Sequence, residues 1–284
     1  MSRWAILGCG YVGRRLATAL LGDGHEVTVT SRTDEGRQAL ATALPQARAL
    51  CYRMGETIEN CSQYDVLVIS SAPDDTAPEP EKAVAEQLSQ EQRLLYLSTT
   101  GVYAQAFGAE VADDFTIAPG SERSMRRLCV EESLSSCHPS TIALRISGIY
   151  GPGRGVHMRM RHGNYRLIGA ADTLVSRIYV DDLVDAIVLL GTADALAHKT
   201  FVIGDDEPTT AEKHAKGIAK ALGLPMPPTV AAEEVSEAVR TMLGADRKVT
   251  PQRLHALGWR AKHPSWREGL AAALAEEARH PSFP

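Results

Sequence analysis

Aromatic side chains are scarce in this chain of 284 residues: three Trp, eight Tyr and four Phe, 5% in all. Binding of single-stranded nucleic acid stacks bases on aromatic rings interleaved with cations. In the one dense cationic stretch, Arg154, His157, Arg159, Arg161, His162 and Arg166, that interleaving is limited to Tyr165. Net positive charge is also missing, and a formal charge of -5 argues against a nucleic-acid partner. No apolar run approaches the length that spans a bilayer, and the first apolar stretch is too short for a secretory signal, so no membrane partner and a cytoplasmic location are expected. The five cysteines (Cys9, Cys51, Cys61, Cys129 and Cys137) are odd in number and contain no CxxC pair, which points to reduced thiols. His157 and His162 are not spaced to share a helix face and no Cys or carboxylate pair joins them, so no metal site is expected. No internal repeat or low-complexity segment is present.

Glycine, by contrast, is placed with a purpose. The apolar run Trp4-Ala5-Ile6-Leu7 breaks into Gly8-Cys9-Gly10-Tyr11-Val12-Gly13, and a helical run from Arg14 to Leu21 follows at once. Gly8 suits a tight turn off a strand, Gly10 lets a pyrophosphate approach the backbone, and Gly13 lets the helix pack on the strand. A second strand, Glu26 to Thr30, follows, which is the context a dinucleotide-binding loop requires. Gly8, Gly10, Tyr11, Val12 and Gly13 are therefore candidate cofactor residues, joined by Ser70, Ser71 and Ala72 after the strand Asp65 to Ile69. Where NAD-binding chains usually carry Asp or Glu on the ribose, this one has Thr30-Ser31-Arg32. Hydroxyls and a guanidinium fork suit a 2'-phosphate, so Ser31 and Arg32 favour NADP. NAD stays open through Asp34, which is alternatively the cap of a helix over Glu35 to Leu44.

Strands at Ala47 to Cys51, Asp65 to Ile69, Leu94 to Leu97 and Thr141 to Ile146 alternate with helices over Glu79 to Gln92 and Glu122 to Ser135. Such alternation predicts an α/β fold, a Rossmann-type doubly wound parallel sheet with helices on both faces. The pattern loosens from Gly151, returns at Tyr179 to Leu190 and Thr200 to Ile203, and ends in helices over Thr209 to Leu222, Glu233 to Leu243, Pro251 to Ala256 and Ser265 to Glu277. The expected organisation is a dinucleotide-binding domain over 1–150 with a return segment at about 178–204, the rest of 151–284 forming a small, mostly helical substrate lobe.

Several segments in order carry a resemblance. They are Gly8 to Gly13, Leu97-Ser98-Thr99-Thr100-Gly101-Val102-Tyr103, Leu144 to Arg154 with its Tyr150-Gly151-Pro152-Gly153, Arg177-Ile178-Tyr179-Val180-Asp181-Asp182-Leu183, and Phe201 to Pro208. Together they make the chain resemble the extended short-chain dehydrogenase/reductase family, the NAD(P)-dependent sugar-nucleotide epimerases and dehydratases, over nearly its whole length. The resemblance implies that Thr99 polarises a substrate carbonyl or hydroxyl, a task suited to a group that both donates and accepts. Ser98 and Thr100 are read as satisfying the backbone at the strand end, and Asp181 and Asp182 as capping the helix Leu183 to Leu190. The family often dimerises, so a homodimer is a possible assembly.

The resemblance breaks where the family carries Tyr and, four residues on, Lys. Those positions here hold Arg123 and Arg127, and arginine, always protonated, is no ordinary general base. Three readings follow. Another proton donor serves, with Tyr103 and Tyr150 the nearest by sequence; or Arg123 and Arg127 hold an anionic substrate; or the protein is a non-catalytic NAD(P)-binding sensor or regulatory protein. Arg154 and His157, in the basic stretch after the Tyr-Gly-Pro-Gly loop, are further candidates for a diphosphate, which agrees with a nucleotide sugar or related small anionic substrate.

Overall fold

The computed structural model describes residues 1–103, 106–169, 172–235 and 246–280. Seven strands, β1 (Arg3–Leu7), β2 (Glu26–Ser31), β3 (Arg48–Cys51), β4 (Val66–Ile69), β5 (Arg93–Thr99), β6 (Thr141–Ile146) and β7 (Thr200–Ile203), form one sheet in the order β7-β6-β5-β4-β1-β2-β3. β1 pairs in parallel with both β2 and β4, setting Ala5 beside Thr28 and Leu67, and the β2–β3 and β4–β5 pairs are parallel too. Every residue of β4 and β6 is buried, as expected of strands covered on both faces. Strand order reverses at β1: the chain runs outward to β2 and β3, then returns to β4 on the other side. In open sheets that reversal marks the crevice where ligands bind.

Among the described residues the helices are α1 (Tyr11–Gly22), α2 (Asp34–Ala43), α3 (Glu79–Ala85), α4 (Glu122–Cys137), α5 (Val156–Arg161), α6 (Val180–Thr192), α7 (Ala211–Leu222), α8 (Gln252–Ala256) and α9 (Trp266–Arg279). Helix α3 is shorter than its sequence predicts. The glutamines beyond it satisfy loops instead of continuing the helix: Gln87 accepts from Ile58 N–H, and Gln92 donates to the carbonyls of Cys61 and Tyr64. Thr33, not Asp34, caps α2, its hydroxyl accepting from Gly36 N–H at 3.1 Å. Of the helix expected over Glu233 to Leu243, a short 3-10 turn at Ala232–Glu234 is seen, and residues 236–245 lie outside the described residues.

Two compact units emerge: Met1–Thr99, Arg123–Arg145 and Val184–Phe201 in one, Thr100–Glu122, Ile146–Leu183 and Val202–Pro284 in the other. Residues 100–122, expected with the dinucleotide-binding domain, fall in the second unit, because the chain leaves β5 in a tight turn and Glu110–Val111 then pairs in parallel with Lys248–Val249. In the first unit the core sets Leu67, Ile69, Leu94 and Tyr96 of the sheet against Val84 and Ala85 of α3 and Val130 and Leu134 of α4. A separate core in the second unit packs Ile218 and Ala219 of α7 and Trp266 and Leu270 of α9 around Tyr150 and Tyr179.

Candidate functional site

β1 ends in a turn that only glycine makes without strain, since Gly8 has φ +84° and a Cβ there would come 2.9 Å from Ser71 Cβ. Thr30 ties the strand ends together: its hydroxyl accepts from Gly8 N–H at 3.0 Å and donates to Ile6 O at 3.3 Å. At Gly13 a Cβ would meet Ile6 Cγ2 at 3.1 Å, so helix and strand approach as closely as glycine allows. Around Gly10 a Cβ would find nothing within 4 Å, leaving its backbone open to approach. Gly10 is the N-cap of α1 and supplies no capping side chain, and the first turn holds no acid. The positive end of that helix thus faces open space, which suits a pyrophosphate. Val12 is buried, while Tyr11 is half-buried with the Arg15 guanidinium 5.9 Å from its ring centroid.

At the tip of β2, Ser31 is half-buried and Arg32 exposed. The Ser31 hydroxyl lies against the first turn of α2, where a Cβ on Gly36 would clash with it. Asp34 is committed elsewhere. One carboxylate oxygen takes Arg37 Nε–H and the other Gln38 Nε2–H, each at 2.7 Å, and the Arg37 bond holds its carboxyl below the ordinary range. Beyond β4, Ser70 N–H donates to Leu7 O at 2.9 Å, Ser71 backs Gly8, and Ala72 is exposed.

The carboxyl end of β5 presents Thr99, half-buried at the last strand position. Of its neighbours, Thr100 satisfies a backbone group as expected, whereas Ser98 bonds a side chain. Ser98 donates to Glu131 inside the first unit, and Thr100 donates to Ile146 O at 3.4 Å in the second. Tyr103 is fully buried, edge-on to Phe115. Tyr150 is buried against Tyr179, and burial drives its hydroxyl well above the ordinary tyrosine range, which makes it a reluctant proton donor.

The candidate cations divide sharply. Arg123 and Arg154 are exposed. Arg127 Nη1 donates to Leu97 O at 2.6 Å, so this guanidinium braces the end of β5. His157 is 1% exposed, bonds Glu277 at 2.9 Å, and burial lowers its pKa, so in this structure it holds α5 to α9. Arg161 pairs with the same Glu277. Asp182 is also structural, but not as a cap of its own helix, because α6 already begins at Val180. Its oxygens accept from the N–H groups of Lys262 and His263 at 2.8 and 3.1 Å, pinning the approach to α9. Among the described residues no group of three His, Cys, Asp or Glu side chains is placed to hold a metal, no helix is long and apolar enough to cross a membrane, and all five cysteines are free.

Two buried features escaped the sequence reading. In the first unit Arg145 of β6 donates to Glu131 Oε2 through Nε and Nη2 at 3.0 and 2.7 Å. The available signal was an arginine inside an otherwise apolar strand. In the second unit Asp205 is 1% exposed and neither carboxylate oxygen has a hydrogen-bond partner among the described residues. Burial pushes its carboxyl up to about 8, so the folded chain holds a proton that the unfolded chain releases at the ordinary carboxylate value. Stability from this group is complete below that ordinary value and is lost as pH climbs toward about 8. Asp205→Asn is expected to stabilise the protein at the alkaline end of this window and to change little at about pH 4 in urea unfolding. An unaltered pH slope in the variant would remove the assignment.

Comparison with known proteins bears on the whole chain. The family model for the NAD dependent epimerase/dehydratase family matches residues 4–204. A 3-diazoavenalumate denitrifying reductase from a Streptomyces species is 31% identical over 169 residues, 54% of this chain and 53% of that protein, so the match spans about half the reductase. A functionally unknown conserved protein from Silicibacter pomeroyi superposes with a TM-score of 0.85 at 28% identity, covering 97% of this chain and 99% of that one. A UDP-glucuronic acid 4-epimerase from Bacillus cereus, solved with UDP-glucuronic acid and NAD, superposes with a TM-score of 0.75 at 16% identity, covering 98% of this chain and 99% of its own.

Proposed function

Because this chain belongs to the NAD-dependent epimerase/dehydratase family, we propose that it is an NAD(P)-dependent oxidoreductase or epimerase acting on a nucleotide sugar or a related small anionic substrate, with NADP the preferred dinucleotide. The observation that carries this is the glycine turn: a strained Gly8, an open Gly10 and an α1 N-terminus with no capping side chain and no first-turn acid. The cofactor's nicotinamide supplies hydride chemistry when bound. Gly8 to Gly13 would hold its pyrophosphate, and Ser70, Ser71 and Ala72 line the same strand ends.

The preference for NADP rests on Ser31 and exposed Arg32 at the N-terminus of α2, and on Asp34 having both oxygens engaged on its own helix. A ribose hydroxyl therefore lacks its usual carboxylate there, whereas a phosphate meets the Arg32 cation. Calorimetric titration with NADPH and NADH is expected to favour NADPH. Arg32→Ala should erase that preference by about tenfold, the loss of one charge-assisted contact. Equal affinity for both dinucleotides in the parent protein would overturn the NADP reading.

Thr99 is the residue assigned to the substrate carbonyl or hydroxyl. With Tyr103 and Tyr150 buried, neither tyrosine offers an exposed acid, and Arg127 braces a strand in place of the family's lysine. That substitution is the specific observation favouring the second reading, a dinucleotide-binding regulator without hydride transfer. A nucleotide-sugar panel on the dinucleotide complex separates the two: dinucleotide oxidation or reduction, or epimer formation, supports the enzyme, and tight dinucleotide binding with no response supports the regulator.

A further inference from the structure

At the amino end of the sheet, the first unit carries a cavity of about 460 Å³ whose lining includes Arg3, His25, Glu26, Thr28, Arg48 and Tyr64. Small-molecule sites span about 300–1,000 Å³, so the volume suffices for a ligand. β1 separates this cavity from the dinucleotide loop: Arg3 opens the strand and Gly8 follows its last residue, about 16 Å away in extended chain. Strand register explains why the lining is polar. β1 and β2 set Arg3 beside Glu26 and Ala5 beside Thr28, and β2 and β3 set Thr28 beside Arg48. Side chains alternate along a strand, so these residues share one face of the sheet. Ala5 of that face belongs to the core with Val84 of α3 and Val130 of α4, and the charged residues stand beyond it, at the strand starts and on the edge strand β3.

Hydrogen-bond donors dominate this lining. Arg3 and Arg48 bring two guanidinium forks. His25 Nδ1 accepts from Ser2 N–H at 3.0 Å, so the neutral ring carries its proton on Nε2 and offers another donor. Tyr64 is 3% exposed, and its hydroxyl has no hydrogen-bond partner among the described residues, whereas a buried phenol usually finds one. The acids nearby leave the forks available. Arg48 reaches Glu59 at 3.0 Å, but both side chains of that pair are solvent-exposed, and such a pair contributes little. Asp65 takes the backbone N–H of Arg3 at 2.7 Å. Glu26 lies on β2, between the strands that carry the two arginines, and is the carboxylate that lowers their mutual repulsion. A buried hydroxyl without an acceptor, in a cavity that also presents two cationic forks, is complementary to an oxyanion.

We propose that this cavity is a second ligand site, apart from the dinucleotide loop, which binds a small organic anion through its phosphate or carboxylate group. Arg3 and Arg48 hold the oxyanion, whose paired oxygens an arginine fork matches, and Tyr64 donates its hydroxyl to it. Glu26 accepts from a hydroxyl or amino group on the organic body. None of these residues belongs to the Gly8 to Gly13 turn, to Ser31 and Arg32, or to the strand end at Thr99, so the site stands whether the protein is an enzyme or a regulator.

The test is calorimetric titration of the protein saturated with NADPH, so that the dinucleotide loop is filled, using AMP, benzoate and inorganic phosphate as separate probes. AMP or benzoate is expected to bind, with affinity falling as salt rises. Arg3→Gln and Arg48→Gln should each weaken that probe by about tenfold, the loss of a charge-assisted contact, and Tyr64→Phe by about fivefold, the loss of a neutral one. NADPH affinity is expected to stay at the parent value in all three variants. Tyr64→Phe removes a hydroxyl that has no partner, so its urea midpoint should hold or rise while probe binding falls. A tyrosine that only packs would leave probe binding unchanged. Arg48→Gln, at an exposed position of an edge strand, stands by itself if Tyr64→Phe fails to fold. A response to AMP assigns a phosphate and a response to benzoate a carboxylate. Inorganic phosphate binding as tightly as AMP overturns the organic ligand. Probe affinity within about twofold of the parent in the folded arginine variants, or no binding of AMP or benzoate, overturns the site.

Discussion

Gly10→Asp is expected to abolish dinucleotide binding while leaving the fold intact, with affinity for NADPH falling by at least about 100-fold, or about 2.8 kcal/mol. Two features combine to make this a clean experiment. A side chain at Gly10 meets no atom within 4 Å, and the residue has φ −87°, outside the left-handed region, so the substitution costs the folded chain little. The same open space is where the proposed pyrophosphate lies, at the positive end of α1, and a carboxylate there sets two negative charges against each other. Asp is also a good N-cap, so helix α1 itself is not expected to suffer. Unfolding in urea at the parent midpoint together with lost NADPH binding is the expected pair of results. Retained NADPH affinity would place the cofactor elsewhere.

Glu131→Gln carries the second large effect, this time on stability: a loss of about 3–5 kcal/mol in urea unfolding, a substantial part of what holds a domain folded. Glu131 is 4% exposed, receives two bonds from Arg145, itself 7% exposed, and accepts from Ser98 as well. Removing the negative charge takes from a buried guanidinium the carboxylate that accepts two of its bonds, and the desolvated charge left behind, more than the lost attraction, makes the cost. The pair itself is a different matter. Replacing both partners with apolar residues, Glu131→Leu with Arg145→Met, removes the desolvation of both ions and is expected to recover most of the loss. If the double variant is as unstable as the single one, packing and not the stranded charge governs the site. Equal stability of Glu131→Gln and the parent would show that water reaches the pair.

The buried pair shows why parts of the site were illegible. β6 reads as a fully covered strand from its apolar residues, and α4 as a crossover helix from its periodicity, but neither pattern says that Arg145 and Glu131 meet. The short α3 is a similar case. Helical character continues in sequence to Gln92, yet Gln87 and Gln92 serve loop groups about thirty positions away along the chain, and those tertiary bonds win over local propensity. Asp34 and Thr33 exchange roles for a smaller reason, since either residue type caps well and only the backbone entry into α2 chooses between them.

Local spacing alone determined the glycine turn and the alternation that builds the parallel sheet, because each is a relation among residues a few positions apart that backbone sterics and side-chain periodicity express directly, whereas the departure at Arg123 and Arg127 was legible only through the family resemblance. Which cations are committed was decided only by tertiary structure. His157 meets Glu277 across 120 positions, and Arg127 donates to Leu97 O across 30. A charge's solvation and its counter-ion depend on what the folded chain brings beside it, and no periodicity in the sequence encodes that meeting.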